Sequence, residues 1–230
     1  MQIASFLDQD SSQVNDKKVR LFEILSSFDK VMVCFSGGVD SSYVLWSAKE
    51  ALGQSNVLGV TALSPSLPQE ARSEIAAWSA YAGIKHEWVL TKEFENPSYI
   101  ANPTNRCYFC KEELYGSMAP LAKERGMILA DGSNYSDLAD DRPGYRAAQE
   151  WNVRHPLEEA GLTKPEIVKL AREAGLPNWN KPASPCLSSR LPHGQAITVK
   201  ALSKVNQAER LIKALGIRIV RVRHLDFETA

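Results

Sequence analysis

Val31-Met32-Val33-Cys34-Phe35-Ser36-Gly37-Gly38-Val39-Asp40-Ser41-Ser42 joins an apolar run to a glycine-containing loop. The apolar run Val31–Phe35 reads as a short strand buried on both faces. The two glycines let the backbone turn tightly and bring its N–H groups close to a ligand. Ser36, Ser41 and Ser42 add hydroxyls, and a helix beginning near Asp40 turns its partial positive end to the same spot. The arrangement is an anion nest suited to phosphate or pyrophosphate. It lacks the lysine and spacing of G-x-x-x-x-G-K-[ST], and it is not G-x-G-x-x-G. The plainer alternative is a Gly-Gly turn closed by a Ser/Asp helix cap. Strand, loop chemistry and helix together favour the nest.

Outward from this loop, strands alternate with helices. Helical spacing covers Lys17–Phe28, Ser42–Leu52, Ala71–Tyr81 and Lys111–Arg125, the last three closed by Gly53, Gly83 and Gly126. Asn56–Leu63, His86–Leu90 and Met127–Ala130 read as further strands. The pattern predicts an α/β fold, a parallel sheet with helices on both faces. Residues 1–16 read as a polar lead-in, 17–180 as the nucleotide-type domain and 181–230 as a linker with a C-terminal domain. In that last part, Ile197–Val199, Lys200–Leu215 and Ile217–Arg223 predict a small β-α-β unit.

The chain has 230 residues, with 27 Lys plus Arg against 27 Asp plus Glu. A balanced charge gives no global field for nucleic acid or an anionic membrane, so neither is an expected partner. No apolar run reaches the ~20 residues of a membrane span, and the start lacks a secretory pattern. A cytoplasmic protein is expected. Its four cysteines then read as ligands or reactive thiols rather than disulfides.

Cys107-Tyr108-Phe109-Cys110 is a C-x-x-C placed just before a predicted helix, and Cys186 lies in the Pro-rich linker. Such a pair serves redox chemistry, zinc or iron–sulfur sites. Three loop cysteines suggest a site with one open position; zinc completed by His155 or His193 is the other ligand reading. Cys34, inside the first strand, reads as a small buried hydrophobe. After the fourth strand come Asp131-Gly132-Ser133-Asn134 and then Asp137, Asp140, Asp141 and Arg142. Gly132 lets a nucleotide approach the backbone, and the carboxylates suit Mg²⁺. Near the end, Arg221 and Arg223 share a face if their segment is a strand, where they can clamp a phosphate or carboxylate. Glu209 on the preceding helix can hold a cation or orient an arginine. The plain reading of these last groups is a solvated charged face.

Ser36–Ser42 carries the S-G-G-x-D-S signature and resembles the PP-loop ATP pyrophosphatases, which split ATP between its α and β phosphates. From about residue 17 onward the chain resembles the LarE family of sulfur transferases. The residues that carry the likeness are Ser36–Ser42, Asp131–Asn134, Arg142–Gly144, His155–Leu157, Gly161–Lys164, Lys181–Arg190 and Arg221–Arg223. The resemblance implies ATP and Mg²⁺, and adenylation of a carboxylate of a pyridinium dicarboxylate mononucleotide with release of pyrophosphate. Sulfur then displaces AMP to give a thiocarboxylate, a step in nickel-pincer cofactor synthesis. One branch spends a single cysteine, matching Cys186, which becomes dehydroalanine. The other holds a 4Fe-4S cluster on three cysteines, and Cys107 and Cys110 beside Cys186 match that branch. Asp40, Ser189 and Cys186 are the implied catalytic residues. Ser36, Gly37, Gly38, Val39, Asp40, Ser41, Ser42 and Gly132 are implied for the nucleotide. Ser189, Glu209, Arg221 and Arg223 are implied for the substrate phosphate and a metal. The resemblance also implies a homo-oligomer, an external sulfur donor and racemase maturation proteins as partners. Family chains continue past the point matching Ala230, so a site residue beyond it is expected to be missing here. The competing readings are a tRNA thiolation enzyme, an amide-forming ligase of the NAD or GMP synthetase type, and a non-catalytic nucleotide or metal regulator.

Overall fold

A computed structural model of the chain describes residues 2–139, 143–217 and 219–225. In order the elements are α1 (Gln2–Ser26), β1 (Val31–Cys34), α2 (Val39–Leu52), β2 (Val57–Leu63), α3 (Gln69–Ala82) and β3 (Lys85–Leu90). There follow α4 (Pro97–Ile100), α5 (Arg106–Glu124), β4 (Ile128–Ala130), α6 (Pro143–Glu150), α7 (Pro156–Glu159), α8 (Lys164–Glu173) and α9 (Val199–Ala214). The strands form one parallel sheet in the order β3-β2-β1-β4. This is the α/β architecture that the alternation of elements predicts.

Strand β1 is central because its side chains are apolar on both sides, so both faces can be covered. One face packs Val31, Val33 and Phe35 against α1, α2 and α8 through Leu21, Leu25, Val44, Leu45, Ile167 and Leu170. The other packs Met32, Leu58 and Leu129 against α5 and α6 through Tyr115, Met118, Ala147 and Ala148. The chain runs from β1 outward to β2 and β3, then returns to place β4 on the other side of β1. That reversal opens a crevice at the carboxyl ends of β1 and β4, where ligands of such sheets bind.

Helix α1 starts at Gln2 and runs through the polar lead-in into the core-packing segment. Two expectations are corrected. Cys107 and Cys110 lie in the first turns of α5, not in a loop before it. Arg106 anchors that earlier start: it is buried, and its guanidinium donates to the Asn102 side chain and, at 3.0 Å, to the carbonyl of Ser188. Of the C-terminal β-α-β unit, only the helix forms among the described residues. Its flanking segments satisfy their backbone elsewhere. Ile197 N–H donates to Ile100 O at 2.8 Å and His224 N–H to Arg190 O at 3.0 Å, while Val222 N–H donates to the Glu209 carboxylate at 3.1 Å. Ile197, Ala201, Leu202 and Val205 form a third small core with Tyr99, Leu187 and Leu191.

Candidate active site

The loop after β1 folds on itself through its hydroxyls. Ser41 Oγ donates to Gly38 O at 3.2 Å and accepts from Ser36 N–H at 3.2 Å, and the hydroxyls of Ser36 and Ser41 lie 3.1 Å apart. Gly37 has φ +71°, and a Cβ there would lie 2.8 Å from Ile75 Cγ1, so glycine is required twice over. Gly38, in extended conformation, precedes the first turn of α2. Ser36, Asp40 and Ser41 line a cleft of about 690 Å³. Val39 and Ser42 are buried in support instead. The Ser42 hydroxyl accepts from Asn178 Nδ2 at 2.7 Å, and that same amide reaches Gly37 O at 3.3 Å.

Two lysines from distant sequence meet this loop, and the motif gives no hint of either. Lys164 Nζ donates to both Asp40 oxygens, at 2.8 and 2.6 Å. Lys181 Nζ donates to Gly37 O at 3.0 Å and pairs with Glu74 at 2.6 Å. Burial raises the Asp40 pKa above the ordinary carboxylate value, with the nearby Asp137 charge adding to it, although Lys164 pulls the other way. Asp40 and Asp137 both line the cleft. Two carboxylates beside a phosphate-type loop fit Mg²⁺, which takes one or two protein carboxylates plus phosphate oxygens. Asp140, Asp141 and Arg142 lie outside the described residues.

The end of β4 lies beside the loop. The cavity wall at Gly132 is formed against the loop itself: a Cβ there would meet Ser41 N at 2.7 Å. Gly132 itself lines the cleft, and the lack of a side chain lets it abut the backbone of α2. Asp131 has its oxygens engaged within the fold. It accepts from Tyr115 Oη at 2.6 Å, Lys111 Nζ at 3.2 Å and Ser133 N–H at 2.9 Å, and it bonds His155 Nδ1 at 2.7 Å. Burial would raise its pKa, but Lys111, His155 and Tyr115 together hold it well below the ordinary range.

Cys107, Cys110 and Cys186 line the same cleft as the phosphate-type loop. Cys107 and Cys110 come from α5, and Cys186 from the linker just before a 3-10 turn over Leu187–Arg190. That turn is pinned to the sheet domain by Leu187 N–H to Ser66 O at 3.0 Å and by the Tyr99–Ser188 hydroxyl pair at 2.7 Å. Burial pushes the Cys110 thiol up to about 12. Cys186 is open to solvent, yet the crowding walls raise its pKa too, against the lowering pull of Arg106. Both are therefore neutral thiols at pH 7 without a ligand that takes the proton's place. Cys34 is pushed to about 12 by burial and contacts Met118 Sδ at 3.6 Å, in keeping with a structural role.

Among the described residues, no group of three or more His, Cys, Asp or Glu could hold a metal ion. Each histidine of the zinc reading has one ring nitrogen engaged: His155 Nδ1 bonds Asp131, and exposed His193 Nδ1 lies 3.2 Å from Pro103 O. Glu209 is buried in an ion pair with Arg190, at 2.8 and 3.2 Å. Arg190 in turn donates to Pro185 O at 2.7 Å, Cys186 O at 3.2 Å and Ser189 Oγ at 2.9 Å. The Ser189 hydroxyl donates to Cys186 O at 2.8 Å. Ser189, Arg190 and Glu209 thus shape the loop that presents Cys186. Arg221 lines the cleft and donates to Ala183 O at 3.3 Å. Arg223 is exposed and is not among the residues described as lining the cleft. Sequence reasoning missed Glu93, which is buried with one carboxylate oxygen lacking a hydrogen-bond partner and lines the cleft.

Residues 18–91 match the family described as NAD synthase. The chain is 45% identical over 211 residues to an uncharacterized protein of Synechocystis sp., covering 91% of this chain and 78% of the relative. It is 35% identical over 209 residues to the pyridinium-3,5-bisthiocarboxylic acid mononucleotide synthase of Lactiplantibacillus plantarum, covering 90% of this chain and 75% of that enzyme. An uncharacterized protein of Methanocaldococcus jannaschii is 27% identical over 196 residues. With the β1 loop, the switch-point cleft and a likeness spanning nearly its whole length, the chain belongs to the LarE family of pyridinium-3,5-bisthiocarboxylic acid mononucleotide synthases, built on the PP-loop fold.

Proposed function

We propose that this protein is an ATP-dependent sulfur transferase that turns a carboxylate of a pyridinium dicarboxylate mononucleotide into a thiocarboxylate. The observation that carries the reading is the shared cleft: the β1 loop and the three thiols of Cys107, Cys110 and Cys186 line one cavity. A carboxylate is a poor electrophile. Attack of its oxygen on the α-phosphorus of ATP expels pyrophosphate and leaves an acyl-adenylate, from which AMP departs readily. The loop N–H groups and the start of α2 stabilise the departing pyrophosphate, and Mg²⁺, which Asp40 and Asp137 would hold, would supply further neutralising charge. A sulfur nucleophile then displaces AMP.

Cys107, Cys110 and Cys186 would hold the proposed 4Fe-4S cluster. The three thiols line one cavity, and soft thiolate ligands are the type that iron–sulfur clusters take. When bound, such a cluster with an open iron supplies an external sulfide as nucleophile. The absence of a convergent ion-binding set among the described residues favours a second reading. In it, the Cys186 thiol gives up its proton to solvent as its sulfur attacks the adenylate carbonyl and expels AMP, and loss of its α-proton then breaks the Cβ–S bond, leaving the sulfur on the product and dehydroalanine in the chain. The position of Arg221 on the cleft wall supports a role for it in binding the substrate phosphate.

The test is mass analysis of product and protein after turnover. Sulfur in the product, with iron lost and transfer abolished in each of the three Cys→Ala variants, supports the cluster. Transfer that survives without Cys107 and Cys110, with dehydroalanine at position 186, selects the second reading. No sulfur incorporation defeats both.

A further inference from the structure

The loop Ser36–Ser42 has no lysine of its own, yet a triphosphate needs cations. Lys164 is mounted to supply one. It is the first residue of α8, and its backbone N–H donates to Ser136 Oγ at 3.0 Å. Thr163 and Glu166 close that helix end as a capping box, and Glu166 also pairs with Lys17 of α1 at 2.7 Å. Ile167 and Leu170 bury the same helix in the core beside α2. The Lys164 backbone is therefore fixed while its side chain, 42% exposed, can turn at little cost. Its ammonium meets both oxygens of Asp40, and carboxylate and phosphate oxygens are interchangeable acceptors for it.

Resting on the ATP reading above, we infer that Lys164 binds a phosphate group of the nucleotide and that Asp40 competes with that phosphate for it. A divalent cation ends the competition. It takes the Asp40 carboxylate as a ligand, and the Lys164 ammonium turns to phosphate. Asp40 thus makes phosphate capture by Lys164 conditional on the cation.

The experiment measures the affinity of α,β-methylene ATP by calorimetry, with and without Mg²⁺. The proteins are wild type, Lys164→Gln, Lys164→Arg, Asp40→Asn and the double variant Asp40→Asn with Lys164→Gln. Thermal unfolding of each reports that the fold is kept. Lys164→Gln should weaken binding about tenfold or more, the loss of one charge-assisted bond, and Lys164→Arg should keep most of it. Without Mg²⁺, Asp40→Asn should bind tighter than wild type. That gain should disappear in the Lys164→Gln background. A gain of equal size in both backgrounds would mean that Asp40 merely repels phosphate, and it would overturn the inference. So would nucleotide affinity indifferent to Lys164→Gln. Wild type that binds no nucleotide defeats the ATP reading itself and the inference with it.

Discussion

Gly132 presses its Cα against the backbone of Ser41: a Cβ there would lie 2.7 Å from Ser41 N and 2.9 Å from Ser41 Cα. The carboxyl end of β4 and the first turn of α2 therefore touch main chain to main chain. Neither backbone can yield as a flexible side chain would. Gly132→Ala should cost about 1–3 kcal/mol through overpacking and should weaken ATP binding by displacing Ser41. Urea unfolding and nucleotide titration check this, and a variant with unchanged stability and affinity contradicts it.

Arg190 and Glu209 are each only 3% exposed and form one ion pair. Removing one partner strands the other charge, so Glu209→Ala should destabilise by about 3–5 kcal/mol. Glu209→Gln keeps the shape and should lose sulfur transfer more than ATP cleavage, because Arg190 orders the Cys186 loop. Added divalent cation should not restore it. Rescue by cation would return Glu209 to the ligand role that its sequence position suggested.

Arg221 and Arg223 should separate. Arg221→Ala should weaken mononucleotide binding by about 1.5–3 kcal/mol, the worth of a charged hydrogen bond, with ATP affinity unchanged. Arg223→Ala should do less, since it is not among the described cleft residues. Substrate titration of both variants decides it, and equal losses would contradict the placement.

The Asp131–His155 pair predicts a stability window. Asp131 is held well below the ordinary carboxylate range, so its contribution is present above about pH 4 and is lost as pH falls through its depressed value. For His155, burial lowers the pKa, but the bond and charge of Asp131 win and raise it. Its contribution is complete below about pH 6.5 and is lost as pH rises through the raised value. Urea midpoints across pH should show both losses in wild type. His155→Gln should remove the alkaline one, and an undiminished alkaline loss in that variant contradicts the assignment.

The sheet was legible because β1 and its loop carry strong local signals: an unbroken apolar run, then glycines and hydroxyls. Lys164 and Lys181 were not legible as site residues, since they reach the loop from 124 and 144 residues away in sequence. The C-terminal strands were misread because Ile197 and Ile217–Arg223 have strand-like apolar alternation, while among the described residues there they pair in no ladder. Glu209 instead takes the Val222 N–H. Glu209 also looked like a solvated or metal-binding acid, and only the fold reveals Arg190 against it.

On the proposed function, the β1 loop directs cleavage of ATP at its α phosphate. Product analysis after incubating the protein with ATP, Mg²⁺ and the pyridinium dicarboxylate mononucleotide tests this. AMP and pyrophosphate should form in equal amounts, sharply reduced by Asp40→Ala in a variant that still folds. ADP and inorganic phosphate as the products would contradict it.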